Sequence, residues 1–242
     1  MEIIHNPSLE EPFIVAYKAQ GLPTAPIKEG DNCAFTQIAE IFPECKSVQG
    51  KKAIEGGLLH RLDTDTQGLI LIATNQDFYD YMLEGQEEGR FLKKYIATCN
   101  RDLLITEKLK GFPPLPKDIQ MNLNKSNRFV LTSSFRAFGK GRKEVRPVTE
   151  ECGHYQSKKA SKNTYETIIE LNKNKDTSFS AYCTITKGFR HQVRCHLAWL
   201  GFPIIGDKIY NSGCYEKEKL QFFATGLTFT WNNKDYTFSG HP

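Results

Sequence analysis

The sequence predicts an α+β protein, with many short strands and a few helices. Two patterns carry that prediction. Apolar runs of strand length recur along the chain, and the helical patterns fall among them without the strict strand–helix alternation of a βαβ sheet. The composition agrees. A chain of 242 residues, 39% hydrophobic and 12% aromatic, has ordinary globular composition and length enough to bury a sizeable core.

Residues 12–17, PFIVAY, read as a short buried strand, and the KAQGLP stretch from Lys18 as a turn. Phe35, Ile38, Ile41 and Phe42 fall at helical spacing within 33–42. The continuous apolar run from Gly68 to Thr74 has strand length and predicts a strand buried on both faces. Asn75 is a good N-cap, with Asp77 favourable in the first turn, for a helix running to about Gly89. Residues 94–99 read as another strand. Pro113, Pro114 and Pro116 then break any helix. Strand patterns at 129–135 and 165–171 flank a polar, basic stretch, 139–163, that reads as a mobile loop or hairpin arm. Residues 179–186 alternate as a strand does, and Lys187-Gly188 leads into a helix over 189–200. Val193, Leu197 and Leu200 define its core face, Gly201 is a natural C′ residue and Pro203 stops continuation. The chain ends in a pair of strands.

Several function classes fall away. No run of about 18 apolar residues exists to span a membrane. The start, MEIIHNPSLEEPF, lacks the cationic and apolar regions of a secretory signal. Cys33, Cys45, Cys99, Cys152, Cys183, Cys195 and Cys214 are odd in number and form no CxxC pair. Reduced thiols in a cytoplasmic protein are expected. With 32 Lys and Arg against 28 Asp and Glu, the net charge of +4 permits a nucleic-acid partner without arguing for one.

Three segments concentrate reactive side chains. His60-Arg61-Leu62-Asp63-Thr64-Asp65 places an imidazole, a guanidinium and two carboxylates just ahead of a buried strand. A carboxylate there could be a nucleophile, a general base or a metal ligand; the plainer reading is a capped, solvated turn. Lys93-Lys94-Tyr95 says little by itself. In the segment from Arg190 to His196, Arg190 and Arg194 are four apart and share a helix face, with His191 close by. A cationic helix N-terminus suits a phosphate or carboxylate; the plainer reading is a solvated basic face. His191, Cys195 and His196 lack a second ligand pair at zinc spacing, so no metal site is expected.

Taken together, these segments resemble the RluA-type RNA pseudouridine synthases. HRLDTDTQGL is similar to that family's HRLDxxTSGL signature, KKYIA to its KxY motif, and RHQVRCHLAWLGFPIIGDKIY to its HQxRxH…GxPIxGDxxY block. The order and separations match, as does the KxxGL opening at Lys18, and the resemblance covers about residues 12–230.

The resemblance implies a single catalytic domain over 1–242, with no N-terminal S4-like RNA-binding domain. Its fold would be a mixed, largely antiparallel central sheet flanked by helices, with a basic cleft. It implies isomerisation of uridine to pseudouridine in rRNA or tRNA: the N1–C1′ bond breaks, the uracil turns, and C5 joins C1′. No cofactor and no metal are implied, and a monomer is expected. Asp63 becomes the essential catalytic carboxylate, Tyr95 the active-site tyrosine and Arg194 the arginine paired with the aspartate. A guanidinium beside Asp63 would oppose the rise in pKa that burial causes. Tyr95 would offer the uracil a flat face. The target base must leave its stack, and Arg61 could fill the gap. His60, Arg61, Arg190, His191 and Gln192 are the expected substrate-binding residues. The basic residues Arg136, Lys140, Arg142, Lys143, Arg146, Lys158, Lys159 and Lys162 are the expected RNA clamp. Gln67 stands where the family has Ser, and Phe189 where it has Arg. A non-catalytic RNA-binding protein and a metal-dependent hydrolase using His60, Asp63 and Asp65 are the alternatives.

Overall fold

A computed structural model describes residues 1–213 and 218–240, which leaves Cys214 and the last two residues of the expected final strand outside the description. The strands are β1 (Glu2–His5), β2 (Phe13–Lys18), β3 (Gln67–Ala73), β4 (Leu92–Cys99), β5 (Arg128–Phe138), β6 (Glu144–Val148), β7 (Tyr165–Lys173), β8 (Phe179–Ile185), β9 (Phe222–Trp231) and β10 (Lys234–Ser239). The helices are α1 (Ala34–Ile41), α2 (Gln76–Glu87), α3 (Ile105–Lys108), α4 (Lys117–Asn122), α5 (His154–Lys158) and α6 (Gln192–Trp199). This is the expected α+β class. The chain forms two compact units, Met1–Lys94 with Phe223–Pro242, and Tyr95–Phe222.

In the first unit the strand order is β1-β2-β3-β9, with β10 on β9. The pairing is mixed. β2 and β3 run antiparallel, with Lys18 opposite Gly68, while β3 and β9 run parallel through Gly68 and Ala224. Every residue of β3 after Gln67 is buried, as its uninterrupted apolar run predicts. Gly68 has φ +129, and a Cβ there would collide with the Ala224 carbonyl. Helix α2 buries Phe78, Tyr79 and Met82 against Phe13, Leu69, Leu71 and Phe229. Each such side chain contributes about 1.5–3 kcal/mol by leaving water. Asn75 caps α2 as expected, its Oδ1 accepting from the Phe78 N–H at 2.9 Å. Cys33 caps α1, with Thr36 bonding back to the Cys33 N–H. Ile41, read as part of the apolar face, is half exposed at the end of α1.

The second unit has the order β4-β8-β7-β5-β6. The basic stretch from residue 139 divides: β5 and β6 form a hairpin around residues 139–143, and α5 follows. Helix α6 begins only at Gln192, because its N-cap, His191, is left-handed at φ +58. All eight of its residues are buried. This corrects the expected cationic helix face: Arg190 lies outside the helix, and Arg194 lies inside the protein. The helix ends as predicted. Gly201 has φ +89, its N–H donates to Ala198 O at 3.0 Å, and the Phe202 N–H donates to Leu197 O at 2.9 Å.

Candidate active site

Asp63 lies in the loop that feeds β3, and the first unit holds that loop from both sides. The register that sets Lys18 opposite Gly68 brings the turn after β2 against residues 62–65. The Thr24 hydroxyl donates to Leu62 O at 2.6 Å and accepts from the Leu62 N–H at 3.1 Å. The Lys18 ammonium donates to Thr64 O at 3.0 Å, the Gly21 N–H to the same oxygen at 2.9 Å, and Gln20 Nε2 to Asp65 O at 3.1 Å. The turn closes with the Thr66 N–H donating to Asp63 O at 3.0 Å. The residues flanking Asp63 are thus tied down through their backbone, and the half-buried carboxylate is presented from a fixed turn.

His60 and Arg61 differ in character. His60 Nε2 accepts from the Leu71 N–H at 3.1 Å, and its ring packs edge-on to Phe91. Accepting through Nε2 puts the proton of the neutral ring on Nδ1. Burial first, and the nearby Lys93 cation second, lower its pKa to about 3. His60 is therefore a neutral brace between its loop and β3. It is also a poor metal ligand there, since Nε2 is already an acceptor. Among the described residues no cluster of three or more His, Cys, Asp or Glu side chains is placed to hold a metal ion. Arg61 is half exposed, with Nη1 3.1 Å from Oε1 of the buried Glu55.

Lys93 and Tyr95 share the buried face of β4, where Lys94 points to solvent. Burial pushes the Lys93 ammonium down to about 7, and its Nζ donates to Gln86 Oε1 at 3.2 Å. In the second unit Tyr95 stacks on Phe222, ring centroids 5.2 Å apart and planes 16° from parallel. That contact fixes the plane of the phenol.

Arg194 forms a buried bidentate pair with Asp207: Nε to Oδ2 and Nη2 to Oδ1, both at 2.8 Å. The expectation paired Arg194 with Asp63 and overlooked Asp207. The Asp of the GDxxY block was the available signal, and nothing in the reading gave it a task. Burial alone would raise the Asp207 carboxyl; the bonded Arg194 guanidinium, with the N–H groups of Ile209 and Tyr210, outweighs that and lowers it. Gln192 is also internal. Its Oε1 accepts from the Phe189 N–H, and its Nε2 donates to Glu166 O and Thr167 Oγ1. His191 Nδ1 lies 3.1 Å from the Tyr210 hydroxyl. Arg190 Nη2 donates to Arg142 O at 2.6 Å and Glu144 O at 3.2 Å, bracing the β5–β6 hairpin. Gln192 and Arg190 thus each bond backbone within the second unit.

The expected RNA clamp is also revised. Arg146 is buried, with its guanidinium over the rings of Phe112 and Phe138 and bonded to Lys110 O, Val145 O and Glu144. Lys140, Arg142 and Lys143 are exposed on the hairpin turn, and Lys158, Lys159 and Lys162 are exposed beyond it.

The RNA pseudouridylate synthase family model covers residues 12–199, and the chain belongs to that family. It is 25% identical over 213 residues to the mitochondrial pseudouridylate synthase RPUSD4 of Rattus norvegicus, covering 86% of this chain and 51% of that protein. It is 25% identical over 202 residues to ribosomal large subunit pseudouridine synthase D of Borreliella burgdorferi, covering 81% and 51%. The chain thus spans about half the length of these relatives. The fold is shared with human RNA pseudouridylate synthase domain containing 1, at a TM-score of 0.67 and 17% identity, covering all of this chain and 83% of that one. With human RNA pseudouridylate synthase domain containing 4 the TM-score is 0.63 at 20% identity, covering 99% and 88%.

Proposed function

We propose that this chain is an RNA pseudouridine synthase, an isomerase that converts uridine in rRNA or tRNA to pseudouridine with Asp63 as its essential carboxylate. The observation that carries the reading is the family match over residues 12–199, which contains HRLDTDTQGL, KKYIA and RHQVRCH in one chain. The clamped turn around Asp63 supports the role of that residue, because a group that must meet a flipped-out nucleotide gains from being held in place beforehand. Tyr95 serves as an aromatic face for the base, and Arg194 is the third catalytic residue, a cation held in place by Asp207. Arg61, half exposed beside Asp63, enters the RNA once it leaves Glu55. The protein works as a monomer in the cytoplasm, without cofactor or metal.

Pseudouridine mapping of total RNA with and without this gene tests the activity and identifies the uridine. Asp63→Asn tests the site. It lowers pseudouridine formation by at least about 10²–10⁴-fold, the range for a positioned acid–base group, while RNA binding and folding persist. Full activity in that variant would falsify the assignment.

A further inference from the structure

Glu55 is buried in the segment that leads to Asp63, and the family reading gives it no task. It closes the short 3-10 turn Ala53–Glu55. Its backbone is fixed on both sides: its N–H donates to Lys52 O at 2.9 Å, and its own carbonyl accepts from the Leu58 N–H at 3.1 Å. One side-chain oxygen, Oε1, meets two cations, Lys52 Nζ and Arg61 Nη1, each at 3.1 Å. The Glu55 side chain is 9% exposed, whereas those of Lys52 and Arg61 are 65% and 56% exposed. A fixed internal anion thus faces two cations that reach it from the surface.

A buried carboxylate needs a cation, because removing its only partner leaves an uncompensated charge. One cation meets that need. A second becomes useful when the first has to leave. Lys52 sits one 3-10 turn before Glu55, so the two side chains lie on the same side and stay together. Arg61 instead comes from the loop of Asp63, two residues before the carboxylate.

We propose that Glu55 is a positioning residue for Arg61, holding the guanidinium beside the catalytic loop until RNA takes it, and that Lys52 is the counter-ion that stays with Glu55 when Arg61 leaves. The proposal rests on the reading of Arg61 as the residue that enters the RNA. Two consequences of opposite sign follow. With Gln at position 55, Arg61 bonds a neutral acceptor, which is the weaker kind, and RNA takes it more easily. With the Lys52 charge removed, Arg61 becomes the sole cation on Glu55. Its departure then strands a buried carboxylate, so Arg61 is held harder. Both substitutions weaken the same ion-paired group, and a purely structural role would make them act alike.

The test measures the affinity of the full chain for total RNA from cells lacking the gene, and the second-order rate of pseudouridine formation on it. Glu55→Gln, Lys52→Met and Arg61→Ala are compared singly and in pairs. Glu55→Gln is expected to tighten RNA binding about fivefold and Lys52→Met to weaken it about fivefold, the scale of a part-exposed ion pair. The rate moves with the affinity. In the Arg61→Ala background each of these changes shrinks to less than about twofold, because the coupling runs through Arg61. A direct phosphate contact by Lys52, or a plain charge effect of Glu55, would persist in that background, and persistence overturns the proposal. Changes of the same sign in the two single variants overturn it too. If Arg61→Ala weakens binding and slows the reaction while the other two variants match wild type, the holding role of Glu55 fails and the reading of Arg61 stands. If Arg61→Ala matches wild type in both measurements, the reading of Arg61 fails and the proposal with it. Should Glu55→Gln not fold, Lys52→Met decides through its dependence on Arg61, since Lys52 is exposed.

Discussion

Arg194 and Asp207, thirteen residues apart in sequence, meet inside the second unit through two parallel bonds of 2.8 Å. The carboxylate is fully buried, and its Oδ1 also accepts the N–H groups of Ile209 and Tyr210. This is the fork geometry that suits arginine and that lysine cannot reproduce. The pair makes Arg194 a fixed cation. Its charge is permanent, and two of its nitrogens are held in place by a second, equally fixed residue.

Replacing Asp207 with Asn breaks that pair and leaves a buried guanidinium short of its counter-charge. Urea unfolding is expected to show a loss of about 3–5 kcal/mol, the range for removing one partner of a buried pair. The pH dependence has a definite sign. The Asp207 pKa is lowered in the folded chain, so its contribution is present above the ordinary aspartate value and lost as pH falls through the folded one. The Asn variant lacks that acid-side loss. A variant as stable as wild type at pH 7 would mean that the pair adds nothing to the fold.

A second pH effect comes from buried neutral histidines. His196 lies wholly inside the second unit, with Nε2 2.9 Å from Ser133 Oγ and Nδ1 2.8 Å from Thr167 Oγ1. Burial lowers its pKa to about 3, and His60 is lowered to about 3 as well. The unfolded chain takes up these protons below about pH 6.5, so folding stability is expected to fall as pH drops from 6.5 to 5. Most carboxylates are still ionised in that window. The slope approaches about 1.4 kcal/mol per pH unit for each histidine. Denaturant titrations at pH 6.5, 5.75 and 5 measure it, and a flat line would show that these rings are charged in the folded state.

How far the sequence could be read is clear from particular residues. The β3 run, the Asn75 cap and the Gly201 stop were legible because each rests on local chemistry: continuous apolarity, a capping oxygen, a left-handed glycine. The start of α6 was not, because His191 adopts φ +58, which no spacing of apolar residues reveals. β1 was missed for a related reason: it is a short edge strand without a buried alternating face. The motifs located the Asp63 loop and the Arg194 helix. They did not show that Asp207 holds Arg194 or that residues 18–24 hold the Asp63 loop, since both are long-range pairings set by the register and the turns. Arg146 was grouped with exposed cations on composition, and its burial and its stacking on Phe112 and Phe138 show it to be core.

Arg190 offers a test of hairpin bracing. Its Nη2 bonds two carbonyls across the β5–β6 turn, from an exposed position. Arg190→Ala should cost about 1 kcal/mol locally, the low end for charge-assisted bonds that water can replace. Hydrogen exchange at residues 139–145 is expected to speed up roughly fivefold, with global stability nearly unchanged. Unaltered exchange at the hairpin would show that the turn holds its own shape and return Arg190 to the pool of residues available for RNA.

The exposed cations of that hairpin carry the last prediction. Lys140, Arg142 and Lys143 project from the turn, while Arg146, in the same basic run, is enclosed by aromatic rings and backbone carbonyls. If the hairpin meets RNA, the three exposed residues contact phosphates and release counterions, whereas Arg146 contributes only to the fold. Neutralising Lys140, Arg142 and Lys143 together should therefore reduce the slope of log affinity against log salt by about 2, at roughly 0.7 per lost contact on single-stranded RNA. The unfolding midpoint should stay near wild type. Arg146→Ala should do the reverse, lowering stability by about 2–4 kcal/mol because the Glu144 partner and the rings of Phe112 and Phe138 lose their cation. Binding of total RNA measured from 50 to 200 mM salt distinguishes the two. Equal slopes for wild type and the triple variant would remove the hairpin from the RNA contact and leave capture to Lys158, Lys159 and Lys162.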